Sequence, residues 1–441
     1  MLQKPDFAEH RKRLLAALPN DEALLVVGGG VQIRNATSAY RYRPDSDVYW
    51  LTGWEQPHVA VFLRPGDEPF VMFVQERDPA KEQWDGHRPG PSGAMSDFGA
   101  DVAFPIGDLQ KELGRLLQGV NALHYAFALD ADVDAIVMAA VNAALRAGRK
   151  VGLAAPETFH HPSRVLHDLR CAKHEDELVI MREAARLTAE AHTRAMALAA
   201  PGRREFEVEA ALIKPWLDAG ATGVAYTPIV AAGANGTVLH YITNRDELRD
   251  GELLLIDAGA EVGYYACDVT RTFPINGRFT APQRAVYEVV LRAQQAAIDC
   301  CRAGNRFTDV HQAAVRALTE GMVELGLLST EHDPVNILVD DKAYEAYYPH
   351  GTSHWLGLDV HDAGAYARDG EATTFVPGMV LTVEPGIYVP ADDEGAPEAL
   401  RGIAVRIEDD VLVTEGDPEV LTAAIPKQVE DVEAACRAGA T

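Results

Sequence analysis

The chain has 441 residues, of which 47% are hydrophobic and 24% charged, and its formal net charge is -26 at pH 7. This is the composition of an ordinary globular protein, and the length favours two domains. Because the acidic excess repels phosphate backbones and anionic lipid, we expect no nucleic-acid partner.

The first part of the chain alternates helix-like and strand-like segments. Apolar residues recur at helical spacing in 7–18, 108–118 and 133–147, and strands are predicted for ALLVVGGG, HVAVFL and PFVMFVQ. This alternation predicts an α/β domain. The glycines at 28–30 end a strand but do not complete G-x-G-x-x-G, so we predict a turn there rather than a phosphate-binding loop.

The sequence pattern of the chain changes near residue 172. A long Ala- and Glu-rich helix is predicted from about 175 to 200. The remainder mixes helices with antiparallel-looking strands; the helices are 204–219, 281–303 and 308–326, and the strands are 252–275, 379–389 and 402–414. We therefore predict two domains, 1–172 and 173–441.

Residues 252–275 (ELLLIDAGAEVGYYACDVTRTFPI) predict a β-hairpin that carries two acidic residues. A turn centred on Val262 and Gly263 would place Asp257 directly opposite Asp268. Side chains in such a pair have Cβ atoms about 4.5 to 5.5 Å apart, so two carboxylates would destabilise the hairpin. A shared proton, an Arg or a bound cation could offset the repulsion.

Two later strands also carry charged residues. In GMVLTVEPGIYV, period-two alternation places Glu384 on the same face as Val380, and a Glu in such an apolar strand needs a partner. In GIAVRIEDDVLVT, Arg406 and Glu408 share one face. Either strand alone is typical of a solvated sheet face with a salt bridge.

The segment PHGTSHWLGLDVHD supplies three histidines, His350, His354 and His361. An HxxxH zinc helix is disfavoured, because Gly351 replaces the Glu of HExxH and the segment is rich in poor helix formers. Four carboxylates and one nearby imidazole suit harder divalent ions such as manganese, with zinc or cobalt as alternatives. Since four carboxylates can neutralise two divalent cations, we predict a dinuclear metal site.

The motifs HYITN, LLIDAGAE, DVTRTFP, HGTSHWLGLDVHD, PGMVLTVEPGIY and RIEDD closely resemble those of bacterial aminopeptidase P, the Xaa-Pro aminopeptidase family. The resemblance spans most of residues 175–415. It implies a creatinase-like α/β N-terminal domain followed by an α+β pita-bread catalytic domain, with antiparallel strands flanked by helices. It also implies two divalent metal ions, usually manganese, held by Asp257, Asp268, His354, Glu384 and Glu408.

The same resemblance implies further site residues. Substrate-side histidines fall on His240, His350 and His361, and an arginine that orients the metal ligands falls on Arg406. Tyr388 is expected near the site. Trp84 is expected to reach the site of a neighbouring subunit, in a homotetramer or a homodimer.

The implied reaction is hydrolysis of the bond between an N-terminal residue and a following proline. Substrates would be peptides with proline at the second position. We expect attack by a metal-bridged hydroxide, proton relay by Glu384, and hydrogen bonds from the histidines to the developing anion.

Two other functions remain open on the sequence. A prolidase would share the fold and the ligands but accept only Xaa-Pro dipeptides, and a non-catalytic pita-bread binding module would recognise a partner without hydrolysis. A creatinase is disfavoured because those relatives lack the ligand set.

Location is predicted from two further features. The five cysteines are odd in number and form no CxxC pair, and no signal-peptide core follows the N-terminus, which favours a reducing cytoplasm. No apolar stretch approaches the length of about 20 residues that a membrane span needs, so we expect no membrane insertion.

Overall fold

A computed structural model of the protein describes residues 4–438. The described chain forms two compact units, with residues 5–170 in the N-terminal unit and residues from 171 onward in the C-terminal unit. The predicted domain boundary lies two positions beyond this division.

The N-terminal unit is an α/β structure, as predicted. Its helices are α1 (Phe7–Ala17), α2 (Ser46–Thr52), α3 (Pro79–Asp85), α4 (Gly90–Ser96), α5 (Leu109–Leu116), α6 (Ala131–Val151) and α7 (Leu166–Cys171), the last of which ends at the division. Its strands are β1 (Glu22–Gly28), β2 (Ile33–Asn35), β3 (Ser38–Ala39), β4 (Val59–Leu63), β5 (Phe70–Val74), β6 (Val102–Pro105), β7 (Ala122–His124) and β8 (Thr158–His160).

A six-stranded mixed sheet in the order β6-β5-β4-β1-β7-β8 organises this unit. Ala23 and Leu25 of β1 pack into the core formed with α5 and α6. Their neighbours Leu24 and Val26 are also buried, although strand alternation points them to the opposite face. Burial on both faces explains why the strands read as continuous apolar runs in the sequence.

The C-terminal unit combines long helices with small antiparallel sheets, as predicted. Its helices are α8 (Glu175–Leu198), α9 (Glu205–Asp218), α10 (Ala281–Ile298), α11 (Phe307–Glu324), α12 (Val335–Asp340) and α13 (Val429–Arg437). Its strands are β9 (Gly223–Val224), β10 (Ile229–Ala232), β11 (Leu253–Asp257), β12 (Ala260–Val262), β13 (Tyr265–Ala266), β14 (Thr270–Pro274), β15 (Ala367–Arg368), β16 (Glu371–Ala372), β17 (Val380–Val383), β18 (Gly386–Tyr388), β19 (Ala404–Arg406), β20 (Asp409–Leu412) and β21 (Glu419–Val420).

Local chemistry explains where these helices begin. The hydroxyl of Thr280 accepts a hydrogen bond from the backbone N–H of Gln283, whose side chain in turn accepts from the backbone of Thr280. This capping box satisfies two amide groups at the start of α10. Helix α8 begins in the same way, because the Glu177 carboxylate accepts from the backbone N–H of His174.

The predicted register of the first hairpin is wrong by two residues. The turn lies at Gly263 and Tyr264, which both have positive φ, at 53° and 68°. Two-residue hairpin turns of this kind require positive φ at both central positions. Asp257 therefore pairs with Thr270, not with Asp268. A shift of two residues keeps every side chain on its face, so both Asp residues still point the same way.

The predicted continuous strands 379–389 and 402–414 are each interrupted. Strand β17 pairs with β20, and β18 with β19, in one unbroken register that leaves out the residues between them. Pro385 has no N–H to donate and interrupts the ladder there. The backbone N–H of Glu384 instead donates to Thr352 (2.9 Å), and that of Glu408 donates to Thr270 (3.0 Å). Both glutamates thus lie at the break in the β-ladder, where their backbone N–H groups bond to other segments.

Candidate metal centre

One cavity of about 710 Å³ in the C-terminal unit brings most of the predicted site residues together. Nine of them line it: His240, Asp257, Asp268, His350, His354, His361, Glu384, Arg406 and Glu408. They come from the first hairpin, from the interrupted ladder of β17–β20 and β18–β19, and from loops, including the 349–362 segment, which is not helical. The argument against an HxxxH zinc helix therefore holds.

The two aspartates of the hairpin meet at a tyrosine that the sequence did not indicate. The hydroxyl of Tyr226 lies 2.5 Å from Oδ1 of Asp257 and 2.5 Å from Oδ1 of Asp268. A phenol has one proton to donate, so it can satisfy only one of the two carboxylates at a time. The close approach of the two Asp residues thus survives the change of register.

Arg406 neutralises part of the charge on this pair. Its Nη2 lies 2.7 Å from Oδ2 of Asp257, its Nε donates to the hydroxyl of Thr270 (3.0 Å), and its Nη1 donates to the hydroxyl of Tyr388 (3.1 Å). Only 4% of Arg406 is exposed. A solvated sheet face is therefore excluded for this strand, and the Arg that could offset the Asp pair is present.

His354 connects the remaining carboxylates. Its Nε2 lies 3.4 Å from Oδ2 of Asp268 and 3.8 Å from Oε1 of Glu384. One potential ligand atom from each of Asp268, His354 and Glu408 falls within 4.8 Å of the other two. Glu408 is buried, and its Oε2 accepts a hydrogen bond from Thr270 (2.7 Å). This spacing is compatible with a shared cation.

The electrostatics indicate that these carboxylates need a counter-charge. Burial raises the pKa of Glu384 to about 7. Burial and the charges of Asp268, Glu384 and Asp257 raise the pKa of Glu408 well above its usual range. Burial alone would lower the pKa of His354, but the hydrogen bond and charge of Asp268 outweigh it and raise the value to about 9. Without a cation the cluster therefore retains protons.

His350 has both ring nitrogens engaged. Nδ1 lies 2.8 Å from the carbonyl oxygen of Gly351, and Nε2 lies 2.8 Å from the hydroxyl of Tyr388. Burial lowers the pKa of His350 to about 4, so the ring is neutral at pH 7. A carbonyl only accepts, so Nδ1 carries the single proton and Nε2 accepts from Tyr388. In this arrangement His350 has no N–H left for a substrate.

His361 and His240 face the cavity differently. The ring of His361 packs edge-on against His354, with centroids 4.4 Å apart, and burial lowers its pKa. His240 is exposed on a loop beside the apolar side chains of Leu239 and Ile242, which also line the cavity.

Trp84 belongs to the N-terminal unit, on α3, and 87% of it is exposed. Its predicted contact with another subunit stays a prediction.

Tyr226 and Thr270 were not predicted from the sequence, although both contact acidic residues of the cavity. Tyr226 lies in GVAYTPIV, 31 positions before Asp257, and that segment carries no charged residue that would indicate a site. Thr270 is opposite Asp257 in the observed register. Correct placement of the turn would have indicated it.

Comparison with known proteins matches this architecture to one family. Residues 179–415 match metallopeptidase family M24, and residues 7–124 match the N-terminal domain of aminopeptidase P. The chain belongs to metallopeptidase family M24. The predicted family and the predicted two-part fold class are thereby confirmed.

Similarity to individual members of the M24 family covers both units. The chain is 38% identical to Xaa-Pro aminopeptidase of Escherichia coli over 98% of both chains, and 31% identical to human Xaa-Pro aminopeptidase 3 over 99% of this chain and 86% of that one. The structure of Pseudomonas aeruginosa aminopeptidase PepP aligns with a TM-score of 0.95 at 42% identity, covering 100% of both chains. Zinc-substituted E. coli aminopeptidase P in complex with product aligns with a TM-score of 0.92 at 39% identity, covering 98% of each chain.

Membership of a metallopeptidase family agrees with the donor set in the cavity. Two Asp, two Glu and one imidazole form a donor set that suits divalent cations. Among residues 4–438, no helix is long and apolar enough to cross a bilayer.

Proposed function

We propose that the chain is an Xaa-Pro aminopeptidase, a metal-dependent hydrolase that removes an N-terminal residue when proline follows it. The observation that carries this proposal is the convergence of four carboxylates and His354 on a cavity that further histidines also line. Relatives that match nearly the whole chain, from E. coli and Haemophilus influenzae, are named Xaa-Pro aminopeptidase.

The proposed metal ligands are Asp257, Asp268, His354, Glu384 and Glu408. Four carboxylates and the Arg406 guanidinium leave a net negative charge that two divalent cations would compensate. Manganese is our assignment, because oxygen donors outnumber the single imidazole. Divalent metal held by these residues would supply Lewis acidity toward the scissile carbonyl and a water-derived nucleophile at neutral pH.

The other residues have roles that follow from their positions. Glu384, a proposed metal ligand that lines the cavity, accepts and relays a proton. His361 and His240 donate hydrogen bonds to the substrate carbonyl and the developing anion. Arg406 orients Asp257, and His350 holds the hydroxyl of Tyr388 beside that arginine. The substrate bond is a tertiary amide, since proline nitrogen has no hydrogen.

The proposal extends to the organisation of the chain. We assign residues 1–172 to an aminopeptidase P N-terminal domain and residues 173–441 to the metallopeptidase domain. The exposed Trp84 suits contact with a second copy in a homodimer or homotetramer. Within residues 4–438 no two cysteines form a disulfide, in keeping with a reducing cytoplasm.

One assay tests the central proposal. The purified protein is incubated with an Arg-Pro-Pro peptide and with an Arg-Pro dipeptide, each with chelator and with added manganese. We expect release of free arginine from the tripeptide, loss of activity with chelator and recovery with manganese. Cleavage of the dipeptide alone would favour a prolidase. Absence of firmly bound metal together with absence of cleavage would favour a non-catalytic binding module.

A further inference from the structure

A buried carboxylate outside the metal centre has no role in the mechanism above. Glu205, the first residue of α9, is 0% exposed, and within residues 4–438 no Lys, Arg or His forms an ion pair with it. Four hydrogen-bond donors surround it instead. The backbone N–H of Ala232 (2.8 Å) and Nδ2 of Asn235 (3.1 Å) donate to Oε1, while the hydroxyl of Tyr241 (2.8 Å) and the backbone N–H of Asp246 (2.8 Å) donate to Oε2.

All four donors belong to one segment, residues 232–246, which we call the His240 segment. Three of its side chains, Leu239, His240 and Ile242, line the cavity. In the described part of the chain, the imidazole of His240 has no hydrogen-bond partner, and the residue is exposed. The position of His240 is therefore set by the backbone of its segment, not by contacts of its own ring.

We propose that Glu205 is a positioning residue, which holds the His240 segment against α9 and so places His240 at the cavity wall. This inference rests on the proposed function for the role of His240. Hydrogen bonds to an ionised acceptor are about twice as strong as neutral ones. The start of α9 adds the positive end of a helix dipole beside the carboxylate. These interactions stabilise the charge without an ion pair.

The donor pattern explains why a carboxylate is required. Both oxygens of Glu205 face two donors each. In either orientation, a Gln at this position would direct its NH₂ group toward two hydrogen-bond donors. The hydrogen bonds that those two donors make to Glu205 would therefore be lost. The Glu205→Gln variant therefore loosens the segment with almost no change in side-chain volume.

The test combines hydrogen exchange with a double-mutant cycle in the metal-loaded full-length protein. In Glu205→Gln we expect amide exchange of peptides from 232–246 to accelerate by about tenfold or more, with no comparable change in peptides from the N-terminal unit. We also expect kcat/KM for Arg-Pro-Pro to fall by about tenfold. In a His240→Ala background, Glu205→Gln should lower kcat/KM by less than about twofold, because the group that it positions is already gone.

Glu177→Gln is the matched control. Glu177 is also buried in the first turn of a helix and accepts from a backbone N–H, of His174 (2.9 Å), and from a tyrosine hydroxyl, of Tyr265 (2.8 Å). It does not line the cavity. We expect this variant to lower thermal stability while kcat/KM stays within about twofold of the native value.

Two results would overturn the inference: unchanged exchange in 232–246, or equal losses of kcat/KM in the native and His240→Ala backgrounds. The exchange measurement does not depend on catalysis. If the native protein cleaves no Xaa-Pro peptide, the proposed function fails on its own, and faster exchange would still establish that Glu205 holds the segment.

Discussion

Arg406 and Asp257 form a buried ion pair between two separate β-ladders, with Nη2 and Oδ2 2.7 Å apart. They are 149 positions apart in the chain. The same guanidinium donates to Tyr388 and Thr270, so three of its N–H groups have fixed acceptors around one proposed metal ligand. Arginine can donate several hydrogen bonds in a fixed planar arrangement. Lysine cannot, because its ammonium is a single point charge.

Arg406→Lys should therefore weaken the site although it keeps the charge. Groups that orient metal ligands typically contribute about 10- to 100-fold in metal affinity or activity, and we expect a loss in that range. Isothermal titration of the metal-free protein with manganese measures the affinity, and peptide cleavage measures the activity. The exposed Arg284→Lys serves as control, because Arg284 forms surface ion pairs with Glu288 and Glu430. Native affinity in Arg406→Lys would contradict the orienting role.

Glu408→Ala should remove metal and activity together while the fold remains. Glu408 contributes a carboxylate to the group that includes Asp268 and His354, and its Oε2 also accepts a hydrogen bond from the hydroxyl of Thr270. Elemental analysis after gel filtration measures bound metal, and far-UV circular dichroism checks the fold. A variant that keeps a full complement of metal and cleaves Arg-Pro-Pro would refute Glu408 as a ligand.

Much of the fold could be predicted from the sequence because its periodicities are local. Helix α10, for example, begins at Ala281, where the prediction placed it, since Thr280 and Gln283 form a capping box. The hairpin register could not be predicted in this way. It depends on Tyr264 at a positive φ, a conformation that turn rules assign to Gly or Asn.

The residues of the candidate site could be predicted from the sequence, but the contacts between them could not. The acidic residues, His354 and Arg406 stood out as charged or polar residues in apolar surroundings. Which carboxylate each group contacts depends on tertiary structure: Arg406 shares a strand face with Glu408 in the sequence pattern, yet it bonds to Asp257. Tyr226 carried no local signal at all, because its role arises only where two aspartates meet its hydroxyl.

A second buried ion pair supports the loop that carries His361. Nζ of Lys173 lies 2.9 Å from Oδ2 of Asp362, and both side chains are 1% exposed. Asp362 immediately follows His361, and its Oδ1 also accepts from the backbone N–H of Asp359. Removal of one partner from such a pair leaves a buried charge without its counter-ion and typically costs about 3 to 5 kcal/mol.

Asp362→Asn should therefore destabilise the protein by about that amount and reduce activity through displacement of His361. Urea unfolding of the metal-free protein measures the stability. The double variant Lys173→Met/Asp362→Asn is the informative comparison, because it removes both charges and should recover part of the loss. If the double variant is no more stable than Asp362→Asn alone, the charge explanation is wrong.

Metal binding should stabilise the protein more as pH rises. Without metal, the pKa of Glu384 is raised by burial from 4.5 to about 7. Against burial, the hydrogen bond and charge of Asp268 raise the pKa of His354 from 6.5 to about 9. Through Glu384 and His354, the folded metal-free protein therefore binds more protons than the unfolded chain between pH 4.5 and 9, and the contribution of these two groups to the free energy of unfolding falls as pH rises through that window. Metal ligands must lose these protons, so metal affinity increases over the same range.

The measurement is the difference in Tm between manganese-loaded and metal-free protein at pH 5.5, 7 and 8.5. We expect this difference to grow at each step. As pH rises, the metal-free form loses the stabilisation that its bound protons provide, and the metal has fewer protons to displace when it binds. A Tm difference that is constant with pH, or that declines, would mean that protons and metal do not compete for these side chains.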